Sequence, residues 1–171
     1  MDTLLPAELL TAARRTLAAN RAVGRRVAVA ESCTGGLVAA ALTELPGASD
    51  VFEASFVTYS DEAKTGVLGV SSDVIETFGA VSIATAWSMA CQALVKSNAD
   101  IAVAITGIAG PGGGSERKPV GTVVFARAMR GQDPADVFAE RKEFADTGRG
   151  GVRLQAALCA LELLLPPSSE E

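Results

Sequence analysis

Hydrophobic positions recur with a helical period over residues 6–19, where Leu10, Ala13 and Leu17 share one face and Pro6 opens the helix. Gly24 breaks that pattern. Residues 25–30 (RRVAVA) are then β-branched and apolar without alternation, which predicts a buried strand. From Gly35 onward the period turns helical again through Val38, Leu42 and Leu45, up to a turn at 46–50. Residues 51–60 (VFEASFVTYS) have strand composition, and Ser60 with Asp61 and Glu62 reads as a capped helix start. A short helix is predicted at 72–78, and Ser82 caps a longer one with Ile83, Trp87, Ala90 and Leu94 as its apolar stripe. Trp87, Cys91 and Cys159 read as core.

Residues 100–107 (DIAVAITG) predict a third buried strand. The Gly- and Pro-rich segment 107–119 reads as an irregular loop, functional or flexible. Residues 121–129 and 135–144 predict two more strands joined by a turn at 130–136. A final helix at about 150–165 places Leu154, Leu158, Leu161 and Leu165 on one face. Pro166 and Pro167 stop it, and 166–171 reads as a frayed tail. Strands separated by helices, followed by two adjacent strands, predict an α/β class domain: a three-layer sandwich around a mixed, mostly parallel sheet. The first three strands are expected to be parallel and one of the last two antiparallel. Neither an internal repeat nor a second domain is visible, so residues 1–171 are read as one domain.

Composition then narrows the chemistry. With 49% hydrophobic residues, the chain can build a core without disulfides or metals. A net charge of −5 argues against a nucleic-acid partner, which calls for a basic stripe. No basic run precedes a long apolar stretch at the N-terminus, and no apolar run approaches the roughly 18 residues of a membrane span, so no membrane partner is expected. Three widely spaced cysteines fit neither a disulfide framework nor a zinc site, and a cytoplasmic location follows as the simplest reading. Above all, the chain has no histidine. Any base working near neutral pH is therefore a carboxylate, a tyrosine or one of four lysines, Lys64, Lys96, Lys118 and Lys142.

Ligands of open α/β sheets bind beyond the carboxyl ends of the parallel strands. Three segments should meet there: Glu31-Ser32-Cys33-Thr34, Thr58-Tyr59-Ser60 and Thr106-Gly107. Ser32 at a strand-to-helix junction is a candidate nucleophile or, equally well, a helix cap. Lys64, in the first turn of its helix, faces the positive end of the dipole, which favours a neutral amine; otherwise it is a solvated surface lysine. Together the two form a candidate serine–lysine pair. Tyr59, the only tyrosine, could bond the lysine and shape the pocket, or be a strand-end aromatic. Cys33 is the rival nucleophile, though neighbours in a strand point to opposite faces, so Ser32 and Cys33 should not both face the pocket.

Several motif matches fail on context. Ser115–Lys118 matches S-x-x-K, but Pro119 and Gly112–Gly114 disfavour the helix that motif needs. The same loop lacks the Gly-Lys-Ser/Thr of a phosphate-binding P-loop, and Ala30 and Thr34 stand where a G-x-S-x-G elbow needs glycine.

Four separated stretches, AESCTGG (30–36), FVTYSDEAK (56–64), TGIAGPGGGSERKPVGTV (106–123) and GRGGVR (148–153), resemble the CinA C-terminal domain family, the nicotinamide mononucleotide deamidases. The likeness covers nearly the whole chain in the same order. It implies a three-layer fold with a five-stranded mixed sheet, and hydrolysis of nicotinamide mononucleotide, a small-molecule nucleotide, to nicotinic acid mononucleotide and ammonia. It places the nucleophile on Ser32 and the base on Lys64, with Tyr59 and Thr106 in the site. Backbone groups from Cys33, Thr34, Gly35 and Gly36, together with Gly107, become candidate substrate contacts or oxyanion donors. Arg117, Lys118, Arg149 and Arg153 are unranked candidates for the 5′-phosphate. No metal or cofactor is implied, a homodimer is, and the large N-terminal domain of longer family members is absent from these 171 residues. Outside this reading stand a non-catalytic nucleotide- or partner-binding module and an amidase for another small amide.

Overall fold

The computed structural model describes residues 3–145 and 147–167, so the last four residues of the proposed tail lie outside it. Helix α1 (Ala7–Ala22) leads into β1 (Val27–Glu31), α2 (Leu37–Thr43) and β2 (Phe52–Val57). Next come α3 (Asp61–Ala63), a wide π-type turn at Lys64–Leu68, α4 (Ser72–Phe78) and α5 (Ile83–Val95). Strands β3 (Ile101–Gly107), β4 (Thr122–Met129) and β5 (Phe138–Glu143) precede the last helix, α6 (Gly148–Leu163). The sheet has five strands in the order β2-β1-β3-β4-β5. β1 is parallel to β2 and β3, and β4 is antiparallel to both its neighbours. The expected α/β architecture is what the chain adopts.

Two apolar layers sandwich the sheet. On one face Leu9, Ala13 and Leu17 of α1, Val38 and Leu42 of α2, and Val152, Ala156 and Leu161 of α6 pack against Val27, Val29, Val103 and Phe125. On the other, Ala86, Met89, Ala90 and Ala93 of α5, with Leu68, Val70 and Ile75, cover Ala28, Ala30, Ala102 and Ala126. The strand residues under α5 are mostly alanine, so that helix can lie close to the sheet, while larger β-branched residues fill the other side.

Four sequence expectations are corrected. Helix α1 continues three residues past 19 because Asn20 donates to the carbonyls of Thr16 and Leu164, which lets a polar residue be buried inside its last turn. The stripe of α5 is rotated: Ile83 is exposed and Trp87 is 37% exposed, lying over the β4–β5 turn with its Nε1–H on the Pro134 carbonyl. In α6 alanines share the buried face with Leu161 as predicted, whereas Leu154 and Leu158 are only partly buried and Leu165 follows the helix. Finally, α2 starts at Leu37 rather than Gly35, since Gly35 (φ +60) and Gly36 (φ +92) adopt the left-handed conformation that ends the Ser32–Gly36 turn.

Candidate active site

The sheet's hydrogen bonding runs past the strand ends and fixes the site's backbone. Ser32 N–H donates to the Ile105 carbonyl and Thr58 N–H to that of Glu31. Strand alternation sends Ala28, Ala30 and Ser32 toward the α5 side, and Val27, Val29, Glu31 and Cys33 toward the α1–α2–α6 side. Ser32 and Cys33 therefore diverge, as alternation predicts. Cys33 belongs to the apolar core yet also lines the cavity beside Ser32, contrary to the expectation that only one of the two would face it, and burial pushes its thiol up to about 11. A thiolate activated by a helix N-terminus does not exist here.

Lys64 is 1% exposed, one of the largest fully buried side chains. Its Nζ lies 3.2 Å from Ser32 Oγ and donates to the carbonyls of Thr58 (3.1 Å) and Tyr59 (3.3 Å), with that of Ser60 at 3.5 Å. The sequence argument from a helix dipole does not hold, because α3 is three residues long and the side chain folds back onto carbonyls of the β2 end. What lowers the lysine's pKa from its ordinary 10.5 is burial, opposed by Asp61, whose Oδ1 is 4.0 Å away, and by Cys33. With two N–H bonds held by carbonyls, the lone pair of a neutral amine is left for the Ser32 hydroxyl proton.

Glu31 holds the turn in place. Its carboxylate is fully buried and accepts from Thr34 Oγ1 (2.7 Å), Ser55 Oγ (3.3 Å) and the N–H groups of Gly36, Val38 and Ala39. The start of α2 is thus already satisfied by an internal carboxylate. Gly35 N–H is also engaged, on the Ser32 carbonyl. Gly35 and Gly36 consequently offer no free donors, which corrects the expectation that they serve an oxyanion. No oxygen among the described residues accepts from the N–H of Cys33 or Thr34, and of the two only Cys33 lines the cavity, which leaves its N–H as the donor beside Ser32.

A cavity of about 270 Å³ opens over the pair, walled by Ser32, Cys33, Lys64, Tyr59, Thr106, Gly107, Asp61 and Arg149, with residues 80–81, 108–109 and 112–113. A larger cleft on the far side of Asp61, lined by Glu62, Thr65, Ser72 and Glu76, has no nucleophile–base pair. Thr106 lines the cavity, but its hydroxyl donates to the Ala80 carbonyl at 2.8 Å, so it anchors the segment before α5 rather than offering a proton. Gly107 is required by packing: a Cβ there would sit 2.8 Å from Val123 Cγ2 and 3.1 Å from Cys33 Sγ. Lys64 bonds the Tyr59 carbonyl, and the Tyr59 hydroxyl is engaged elsewhere. Tyr59 is 57% exposed and its hydroxyl receives a hydrogen bond from Arg149, which also donates to the Gly110 carbonyl at 2.8 Å.

The four phosphate candidates now separate. Arg149 alone of them lines the cavity. Arg153 instead donates to the carbonyls of Cys33 and Thr34, bracing the nucleophile turn from behind. Lys118 reaches the Phe78 carbonyl at 3.4 Å, and the exposed Arg117 has its own carbonyl held by Arg141. Thr34, Gly35 and Gly36 do not line the cavity either, contrary to expectation. Sequence reasoning missed Asp61 as a wall residue and Glu31 as the acceptor for α2. The glutamate's place ahead of Thr34 and two glycines was the available signal for the latter.

The CinA C-terminal domain family matches residues 10–166. A putative competence-damage inducible protein of Symbiobacterium thermophilum is 49% identical over 146 residues, 82% of this chain and 34% of that protein. The chain spans about a third or less of the length of such longer relatives. A nicotinamide-nucleotide amidohydrolase PncC of Enterobacter agglomerans is 48% identical over 148 residues, 86% of this chain and 88% of its own length. The crystal structure of competence/damage inducible protein CihA from Agrobacterium tumefaciens superposes with a TM-score of 0.90 at 47% identity, covering 95% of this chain and 97% of that one.

Proposed function

The chain belongs to the CinA C-terminal domain family, and from that premise we propose that it hydrolyses the carboxamide of nicotinamide mononucleotide, with Ser32 as nucleophile and Lys64 as base. The observation that carries this reading is the 3.2 Å approach of a buried lysine amine to a serine hydroxyl, at the rim where the sheet's parallel strands end. Relatives of similar length named as nicotinamide-nucleotide amidohydrolases supply the substrate class.

Neutral Lys64 accepts the Ser32 proton as Oγ bonds to the amide carbon. The carbonyl oxygen gains the electron pair and meets the N–H of Cys33, the cavity-lining residue after the nucleophile. Lys64 returns the proton to the amide nitrogen, the C–N bond breaks and ammonia leaves. Lys64 next takes a proton from water, which attacks the ester, and passes it to Ser32 Oγ as the carboxylate departs. Arg149, the cavity's exposed cation, is suited to the 5′-phosphate.

Ammonia release from nicotinamide mononucleotide tests this. We expect Ser32→Ala and Lys64→Ala to lose roughly 10³-fold or more in kcat, while Cys33→Ala stays within about threefold of the wild type. Full activity in Ser32→Ala overturns the nucleophile. Binding without ammonia from the wild type would make the domain a nucleotide-binding module.

A further inference from the structure

Asp61 is the only carboxylate, among the described residues, that lines the cavity holding Ser32 and Lys64. Its Oδ1 is 4.0 Å from Lys64 Nζ, and its side chain is 56% exposed against 1% for the lysine. The buried amine thus has one accessible counter-ion, which shares the cavity wall with it. The remaining neighbours of Nζ are the Ser32 hydroxyl and the carbonyls of Thr58, Tyr59 and Ser60. Cys33 is a neutral thiol at physiological pH, Glu31 lies on the opposite face of the sheet, and Arg149 is held on Tyr59 and Gly110. Behind Asp61, Glu62 and Glu76 line the neighbouring cleft.

This arrangement opposes the chemistry in the free protein, because a carboxylate beside a lysine favours the ammonium, and the ammonium cannot accept a proton. The opposition resolves if the ligand is itself a cation. We propose that Asp61 is a counter-ion shared between Lys64 and the substrate. It holds Lys64 protonated in the free protein, and the positively charged pyridinium ring, on binding, takes over the carboxylate and drives the lysine's proton out to solvent. The base is thereby made by binding. The ammonium becomes an amine plus one proton in bulk water; the ring keeps its charge and no other bond changes. Neutral amides of similar shape bind without releasing the base and turn over slowly, so Asp61 selects for the cationic ring. The inference rests on the deamidase reading for its substrate class.

The four lysines of the chain make the test direct: ¹³Cε-lysine NMR titration of Ser32→Ala, which prevents turnover. The titration is run on the free protein, with nicotinamide mononucleotide, and with benzamide riboside 5′-monophosphate, whose ring is uncharged. The expected result is a Lys64 midpoint about one pH unit lower with the pyridinium nucleotide and nearly unmoved with the neutral one. In Ser32→Ala/Asp61→Asn, the free-protein midpoint is already lowered and the pyridinium nucleotide moves it little further. Equal responses to the two ligands, or an unchanged midpoint in the Asp61→Asn background, overturns the proposal. Ammonia assays separate the two readings. Turnover by the wild type without the NMR response removes the counter-ion role alone. The response without turnover supports the counter-ion role and removes the deamidase reading.

Discussion

Lys64 must be buried to be a base and yet remain close enough to water to exchange its proton, and its surroundings reconcile the two. Burial lowers its pKa from 10.5, while Asp61 and Cys33 act to raise it. Two consequences share one sign. The neutral form carries the activity, so kcat/KM for nicotinamide mononucleotide should rise with pH along a limb whose midpoint lies below 10.5. Stability should follow the same direction. Between the folded-state pKa and 10.5 the unfolded chain binds more protons at this site than the folded one, so stability increases with pH across that window and is lost as pH falls through the folded pKa. The offset between the urea midpoints of wild type and Lys64→Met should therefore be constant below the window and constant above it, and change only across it, with the variant lacking this slope. A limb at or above the ordinary lysine value would remove the neutral-base assignment. The pair itself was legible in the sequence, because a chain without histidine leaves few bases and strand alternation separates Ser32 from Cys33. What seats the lysine was not legible, since the carbonyls of residues 58–60 that receive it are backbone atoms with no sequence signature.

Short elements are positioned by buried polar groups rather than by their own propensity. Helix α2 has seven residues, too few to be stable alone, and Glu31 satisfies three of its first N–H groups along with two hydroxyls. Replacing it by alanine would leave buried donors without acceptors. We expect Glu31→Ala to cost about 3–5 kcal/mol in a urea denaturation series, and Glu31→Gln less, as it keeps one oxygen acceptor. An Ala variant as stable as the wild type would mean that water replaces the carboxylate. The longer helices and all five strands could be read from periodicity and composition, since burying a face imposes its period on the sequence, and the strand directions from the connections between them. The rotated faces of α5 and α6 could not, because alanine counts weakly in such patterns although a close helix–sheet approach depends on it. Nor was the π-type turn after Ala63 legible: it directly continues the three-residue α3, and no residue in Lys64–Leu68 marks a change from one helical winding to the other.

Across the molecule, the cavity is closed by segments far apart in sequence, and Arg149 joins them. From the first turn of α6 it reaches both the Tyr59 hydroxyl after β2 and the Gly110 carbonyl in the loop after β3. Those three segments carry, respectively, the only cation among the described residues that is both cavity-lining and exposed, the aromatic rim and the glycine loop. A phosphate entering here would exchange a neutral phenol and a carbonyl for a charged partner, and guanidinium–phosphate pairing is the stronger bond. Arg149→Ala should therefore raise KM for nicotinamide mononucleotide by roughly 10–100-fold with a smaller change in kcat, and should affect the corresponding nucleoside, which lacks the phosphate, much less. Arg117→Ala, at an exposed position outside the cavity, should leave both constants within about twofold. Arg153→Ala should behave differently from either, lowering kcat, because its guanidinium braces the Cys33 and Thr34 carbonyls behind the nucleophile. An equal loss on nucleotide and nucleoside in Arg149→Ala would assign this arginine to holding the rim together, leaving the phosphate to the loop backbone at Gly112 and Gly113, which also line the cavity.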